Sequence, residues 1–468
     1  MNDSVKSKGQ LPSGQRPIEQ PVKVGRLTVG GYAAGDFGFN LYFTGLNLYL
    51  LYYYTDVLGI DPAVAGLIFM IPVIWDGISD PLMGWLAART RTRFGKFRPY
   101  VLFGAPFMGL SFVGMFAAPV WFPEQVVAAS LIAHIVFRTL YTVASVPYSS
   151  LAAALTYDSN ERGTMAAVRM MAAMAGGIFT AATMLEGARY FGDGNFRQGF
   201  VVVSLGYALI ATVLMAVVFF STSEKPVTSK QVSLSTQQTF KFVQHNRAFW
   251  VLCGASFVGI IGSTIGGKSL VYYISYYADR PDAVSSVISL GILGACIAIP
   301  LWTYLAHRLS KRVVWIIGGC GAAAGNLLVF GFEIRDIPVL SGLAIVNGMF
   351  GGSMAVMFWS MLPDTVEYGQ WRSGVRDDSI VFGLSQFISK AGTGIGVGAI
   401  GLVLSLIGYS ANEVQSEATQ QGIRQATFVI PLLCILGSVA IIAFYPLNAS
   451  THRRIVRALE WRERKSAG

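Results

Sequence analysis

Charge is scarce in this 468-residue chain: Asp, Glu, Lys and Arg together make up 13% of it, against about 25% in ordinary soluble domains. Apolar residues make up 53%, and no water-soluble fold of this length hides that much apolar surface, so lipid must solvate much of it. Cysteine is equally sparse. The four present, Cys253, Cys296, Cys320 and Cys434, lie inside apolar stretches without a CxxC pair, which excludes a disulfide framework and a zinc site. No HExxH, GxSxG or phosphate-binding loop occurs, which argues against an enzyme. The polar stretch Met1 to Val24 has no short apolar core ahead of a small-residue cleavage site. It is not read as a cleaved signal peptide, and the first apolar segment is expected to remain as a helix. The net charge of +10 raises nucleic-acid binding, but basic residues interleaved with aromatics are missing, which excludes it.

What is abundant is long apolar segments. They fall at about 30–55, 62–88, 99–119, 126–152, 164–186, 199–221, 249–278, 284–306, 312–332, 338–362, 379–408 and 425–446. At roughly 20 residues per crossing, the expected fold is an all-α membrane protein of twelve transmembrane helices. The links alternate in charge. The second-to-third link carries Arg89, Arg91, Arg93, Lys96 and Arg98, the eighth-to-ninth carries Arg308, Lys311 and Arg312, and the tail adds six more bases from Arg453 to Lys465. TDVLGID and APVWFPEQ carry none, and ADRPDA only Arg280. Lys and Arg collect on the cytoplasmic side, so both termini are expected there, in a cell membrane of the bacterial inner-membrane type.

The longest polar link lies near mid-chain, so the expected layout is a cytoplasmic segment 1–28, a six-helix bundle 29–221, a connector 222–247, a second bundle 248–446 and a basic tail 447–468. LAARTRTRFGKFRPYVLFG in the first half is faintly repeated as LAHRLSKRVVWIIGG in the second. Two six-helix pseudo-symmetric halves of this kind are how major-facilitator-type transporters are built, with the binding site between halves near the midplane.

Charges inside apolar segments cost about 2.5–3.5 kcal/mol each on insertion scales and therefore face a protein interior or a water-filled cavity. In IPVIWDGISDPLMGW, Asp76 and Asp80 stand four apart on one helical face, where two carboxylates suit a small hard cation or a shared proton. In FRTLYTVASVPYSSL, Arg138, Thr142, Ser145 and Ser149 form one stripe at helical period. Its hydroxyls serve either a ligand or helix packing. GDFGFN puts Asp36 and Asn40 on one face of helix 1, and Asp36 is also placed to pair with a loop base. Arg169 on helix 5, Lys268 on helix 7 and Lys390 on helix 11 complete the charges; Lys268 lies where it can snorkel outward. The run Leu51-Tyr52-Tyr53-Tyr54 is read as interfacial anchoring, and the glycines Gly392, Gly394, Gly396, Gly398 and Gly401 as close helix contact.

The segments IWDGISDPLMGWLAARTRTRFGKFRPYVLFG, YYYTDVLGI, YTVASVPYSSL and LPDTVEYGQWRSGVRDDSIVFGLSQFISKAG resemble the glycoside–pentoside–hexuronide:cation symporters, in family order and over nearly the whole chain. The resemblance implies the major facilitator fold and symport of a small sugar or glycoside with H+ or Na+, without a cofactor. It implies a cation site at Asp76, Asp80 and Thr142. It places Arg169 at the sugar site and Lys390 near the central cavity, and together with the polar groups inside the apolar segments the substrate is expected among Asp36, Asn40, Arg138, Ser145, Ser149, Arg169, Lys268, Gln386 and Lys390. A cytoplasmic gate is expected from Arg89, Arg93 and Lys96 with Asp158, Glu161, Arg162, Asp364 and Glu367, and the working unit is expected to be a monomer in the lipid bilayer. The chain departs from the melibiose-carrying members, which have an aspartate where Asn40 stands and an aspartate and a tryptophan at Ser145 and Ser149. That puts α-galactoside recognition and sodium coupling in question. A uniporter, or a sensor or scaffold that does not transport, is the rival reading. The surplus of Arg138, Arg169, Lys268 and Lys390 over Asp36, Asp76 and Asp80 also raises an anionic substrate.

Overall fold

In the computed structural model, residues 25–155, 159–224, 243–244 and 246–467 are described. Among them, twelve long helices follow one another: α1 Arg26–Tyr52, α2 Pro62–Arg89, α3 Arg98–Trp121, α4 Val126–Leu155, α5 Ser159–Gly192, α6 Phe196–Ser221, α7 Arg247–Tyr272, α8 Val284–Arg308, α9 Lys311–Gly331, α10 Ile337–Ser373, α11 Asp378–Leu406, and α12, which runs through Glu417–Arg424, Gln425–Val429 and Ile430–Ala443. A tail helix, α13 Ala449–Ala467, follows. No strand occurs among the described residues beyond an isolated bridge between Thr92 and Gly95.

Eleven helices are long and apolar enough to cross a bilayer by length and composition. The first is long enough, but Asp36, Asn40, Thr44 and Asn47 lower its hydropathy. Those polar groups are the reason it belongs to the site rather than to the lipid face. Helix starts carry their own acceptors: Asp61, Asn195, Asn246, Ser310, Asp336, Asp377 and Ser416 each accept a first-turn N–H, which satisfies donors that a helix otherwise leaves open. The prolines inside α2, α3, α4, α8 and α10 are tolerated because neighbouring helices and local adjustments re-satisfy the freed carbonyls. α10 is longer than its apolar window, carrying DTVEYGQ inside the helix to Gly374, which closes it at a φ of +74°.

The two halves repeat one irregularity. α1 and α7, each the first helix of its half, end in a π turn, Tyr53–Val57 and Tyr273–Tyr277, a local widening that often marks functional positions. The halves meet along α2 against α11 and α5 against α8, two pairs that exchange when the halves are swapped. The first pair is tight because of glycine: a Cβ on Gly401 would lie 2.4 Å from the carbonyl oxygen of Pro62. Gly394 and Gly398 face Val73 and Met70, while Gly392 and Gly396 face α7.

The buried apolar core shows which side is shut. One continuous cluster joins both halves at the side away from the basic loops, running from Tyr49, Tyr53 and Tyr54 to Tyr272, Val397, Ile400 and Leu404. A second cluster, around Trp302, Trp315 and Phe358, belongs to the C-terminal half alone and takes in Ile455 and Leu459 of the tail helix.

Candidate functional site

At the centre of the interface, α2 presents Asp76 and Asp80 one turn apart, and both are taken up by cations from other helices. Asp76 is 1% exposed; the Arg138 guanidinium of α4 donates to its Oδ2 at 3.0 Å, and Lys390 Nζ of α11 lies 3.4 Å from the same oxygen. Lys390 donates to Asp80 Oδ2, and Thr142 Oγ1 donates to Asp80 Oδ1 at 2.8 Å. Asp76 Oδ1 is buried without a partner. Behind Arg138 stands His134, fully buried, one turn earlier on α4. Its Nε2 accepts from Arg138 Nε at 3.3 Å while its Nδ1 faces the Ile68 carbonyl at 3.3 Å. That arrangement assigns a neutral imidazole with the proton on Nδ1, a support that aims the guanidinium at Asp76.

A second cluster belongs to the N-terminal half. Arg169 of α5 grips Asp36 with both arms of its fork, Nε to Oδ2 at 2.6 Å and Nη2 to Oδ1 at 3.1 Å, the bidentate pairing that arginine favours. The Tyr148 hydroxyl donates to Asp36 Oδ2 at 2.6 Å, and the guanidinium sits over the rings of Tyr32 and Tyr148. The expected pairing of Asp36 with a loop base does not form; its partner is the intramembrane arginine. Asn40 donates to the Asp36 carbonyl of its own helix. Tyr141 of α4 packs edge-on to Phe39 of α1. Partial exposure marks where each cluster meets water. Side chains of Asp80 and Lys390 are 29% and 30% exposed and those of Arg169 and Asp36 are 24% and 16%. Charges at this depth face water, not lipid.

Lys268 does not snorkel. It is 2% exposed, donates to the Asn47 carbonyl at 2.7 Å and sits 4.2 Å from the Phe69 ring centre, so α7 is tied to α1 and α2. The tyrosine run is not an interfacial belt either. Tyr53 and Tyr54 are fully buried, and Asp56, just beyond them at 5% exposure, is a junction between the halves. It accepts from Tyr276 and, at 2.6 Å, from Tyr409 and Thr55, while Asn412 donates to its carbonyl. Sequence reading missed this cluster because all its donors but Thr55 come from the π turn after α7 and the α11–α12 link, more than two hundred residues away. Replacing Asp56 by alanine removes the acceptor that these hydroxyls share. The expected result is faster labelling of a cysteine placed at Tyr52, read with a membrane-impermeant maleimide; an unchanged rate would show that the apolar cluster alone holds this side shut.

Other expected site residues stay apart. Ser145 is half-buried, Ser149 and Gln386 are exposed, and none of the three side chains makes a hydrogen bond to another described residue. On α4 it is Tyr148, not the two serines, that reaches Asp36. On the basic side, Arg89 lies over the Trp85 ring and Arg93 over the Phe94 ring, while Glu224 accepts from the amides of Lys96, Phe97 and Arg98. Asp364 pairs with Lys311 and Glu367 with His452, contacts that stay within the C-terminal half. Asp158 and the Arg162 side chain lie outside the described residues, and Glu161 is engaged in an interaction.

The family described as MFS/sugar transport protein matches residues 31–449. Among curated relatives, the chain is 31% identical over 455 residues to the uncharacterized symporter YnaJ of Bacillus subtilis (strain 168), covering 95% of this chain and 97% of that one. It is 30% identical over 422 residues to the isoprimeverose transporter of Lactiplantibacillus pentosus, covering 89% and 88%. In fold it is similar to a bacterial homolog of the human lysosomal transporter Spinster, solved in an inward-facing and unoccupied conformation. That match has a TM-score of 0.65 at 13% identity over 92% of this chain and 97% of that one.

Proposed function

The chain belongs to the MFS/sugar transport protein family, a family of membrane transporters and not of enzymes, and from that premise we propose that it carries a small glycoside together with a cation by alternating access. One observation supports coupling above the others. Lys390 of the C-terminal half bridges Asp76 and Asp80 of the N-terminal half, so a cation bound by these acids competes with a link between the halves. A competitor of that kind biases the equilibrium between conformations, which a ligand can do only through different affinity for the two. The partly exposed Arg169 and Asp36 offer hydrogen-bond groups to a sugar beside them, with Tyr32 and Tyr148 buried behind. The sealed side is the outer one and the open side cytoplasmic when the basic loops are placed inside, with both ends of the chain in the cytoplasm of a bacterial cell. The working unit is proposed to be a monomer.

The test is uptake of a panel of labelled glycosides, pentosides and uronides into proteoliposomes under imposed proton and sodium gradients. Internal sugar should rise above the external level under one gradient and return to it when that gradient collapses. Equilibration without accumulation under either gradient would mark a uniporter, and no uptake of any sugar would remove the transport reading.

The charge pairing favours a neutral substrate. Arg138, Arg169 and Lys390 each hold a carboxylate, and Lys268 is engaged by Asn47 and Phe69, which leaves no idle cation among these four for a substrate anion. In competition binding, a neutral hexoside should displace label better than its hexuronide, with the same ratio in Lys268→Met. A preference for the hexuronide that disappears in Lys268→Met would contradict this.

A further inference from the structure

Resting on the symport reading, we propose that Arg138 is a tethered cation which permanently fills half of the acid pair, leaving Asp80 as a single proton-binding carboxylate, so that the coupling ion is H+ and not Na+. The inference comes from counting oxygens. Of the four carboxylate oxygens of Asp76 and Asp80, Asp76 Oδ2 accepts from Arg138, Asp80 Oδ1 from Thr142 and Asp80 Oδ2 from Lys390. Asp76 Oδ1 alone is without a donor. A hard metal ion draws on several oxygens at once, and here most of them face N–H or O–H groups. A proton needs one.

The two acids are not equivalent as proton acceptors. Arg138 and Asp76 are 7% and 1% exposed, and a proton on Asp76 would leave a guanidinium buried without its counter-charge, an arrangement that low dielectric penalises heavily. His134, held neutral behind Arg138, fixes that guanidinium in place and has no second position to offer it. Asp80 is different because its partner can move. When a proton binds Asp80 Oδ2, the bond to Lys390 breaks. Lys390 keeps its own proton and its charge, and it can turn to Asp76, already 3.4 Å away, or to the water that its partly exposed side chain reaches. The groups facing Asp80 are Asp76 on its own helix, Thr142 on α4 and Lys390 on α11, with Arg138 held by Asp76 beside them. Only Lys390 changes partner when Asp80 is protonated. One proton taken up thus loosens one link between α2 and α11 and adds one positive charge to the cavity.

The full-length purified protein tests this without knowledge of the sugar, using sodium itself as the probe. Thermal unfolding is compared in sodium chloride and in choline chloride at equal ionic strength. Wild type should show the same midpoint in both salts. Arg138→Gln, which frees Asp76 Oδ2, should gain a sodium-specific rise of about 3 °C or more, lost again in Arg138→Gln/Asp76→Asn. A sodium-specific rise in wild type that Asp76→Asn removes would overturn the proposal, as would an Arg138→Gln protein that stays blind to sodium. Because Arg138→Gln is at risk of folding poorly, infrared spectra of wild type provide a second arm. A carboxylic-acid band that grows on acidification should vanish in Asp80→Asn, persist in Asp76→Asn and ignore sodium; a band that follows Asp76 instead would equally overturn the assignment. These outcomes are distinct from a failure of symport itself: sodium-driven sugar accumulation would sink the proton assignment and leave symport standing, whereas equilibration under both gradients would sink symport.

Discussion

Asp76→Asn is expected to lower the unfolding midpoint by on the order of 3–10 °C, and adding Arg138→Gln is expected to restore more than half of that loss. The pair is desolvated on both sides, with side-chain exposures of 8% and 2%. Removing one partner of such a pair typically costs about 3–5 kcal/mol, mostly because the other charge is left buried and uncompensated, and a kcal/mol is worth about 1–2 °C in a chain of this length. The introduced amide would still offer an oxygen to the guanidinium, but a neutral one. Taking away the guanidinium as well removes the penalty, so the two changes should be strongly non-additive. His134 makes the prediction sharper, because its bond to Arg138 Nε keeps the arginine from swinging toward water. A double-mutant cycle measured by thermal unfolding in one detergent is the check. Additive losses would show that the two groups do not depend on each other.

The composition made the twelve helices legible, since apolar windows of about 20 residues have one stable solution in lipid. The exception is instructive: α1 falls short of the others in hydropathy for the same reason that it lines the site. The sequence also marked Asp36, Asp76, Asp80, Arg138, Arg169 and Lys390 as charges needing an interior. What it did not contain was the pairing among them. Spacing puts residues on one face of a helix but leaves the rotation of one helix against the next undetermined. Asp36 could thus be assigned to a loop base when its partner is Arg169 of α5, and Ser145 and Ser149 could be grouped with Thr142 when Tyr148 makes the contact. His134 was within reach of sequence reasoning, standing one turn before Arg138 on the same face. The Asp56 junction was not, because α1, α7 and the α11–α12 link are brought together only by the closure of the two halves. Buried tyrosines read as membrane anchors for the same reason: an aromatic run at a helix end looks alike whether it meets headgroups or another domain.

The central claim is that the acid pair and Lys390 couple a cation to the movement of sugar, and Asp80→Asn isolates it. Asp80 is partly exposed and its partner Lys390 has a second carboxylate 3.4 Å away, so this variant is expected to lose less stability than one that strands Arg138. One elementary charge moving through 100 mV is worth about 2.3 kcal/mol, enough to sustain a sugar gradient of roughly fiftyfold. The decisive measurement is accumulation and counterflow of one transported glycoside in the same proteoliposomes, for wild type and Asp80→Asn. Wild type should accumulate sugar well above the external level, whereas Asp80→Asn should bring it only to the external level while exchanging labelled for unlabelled sugar at a comparable rate. An Asp80→Asn protein that concentrates sugar as steeply as wild type would contradict the account.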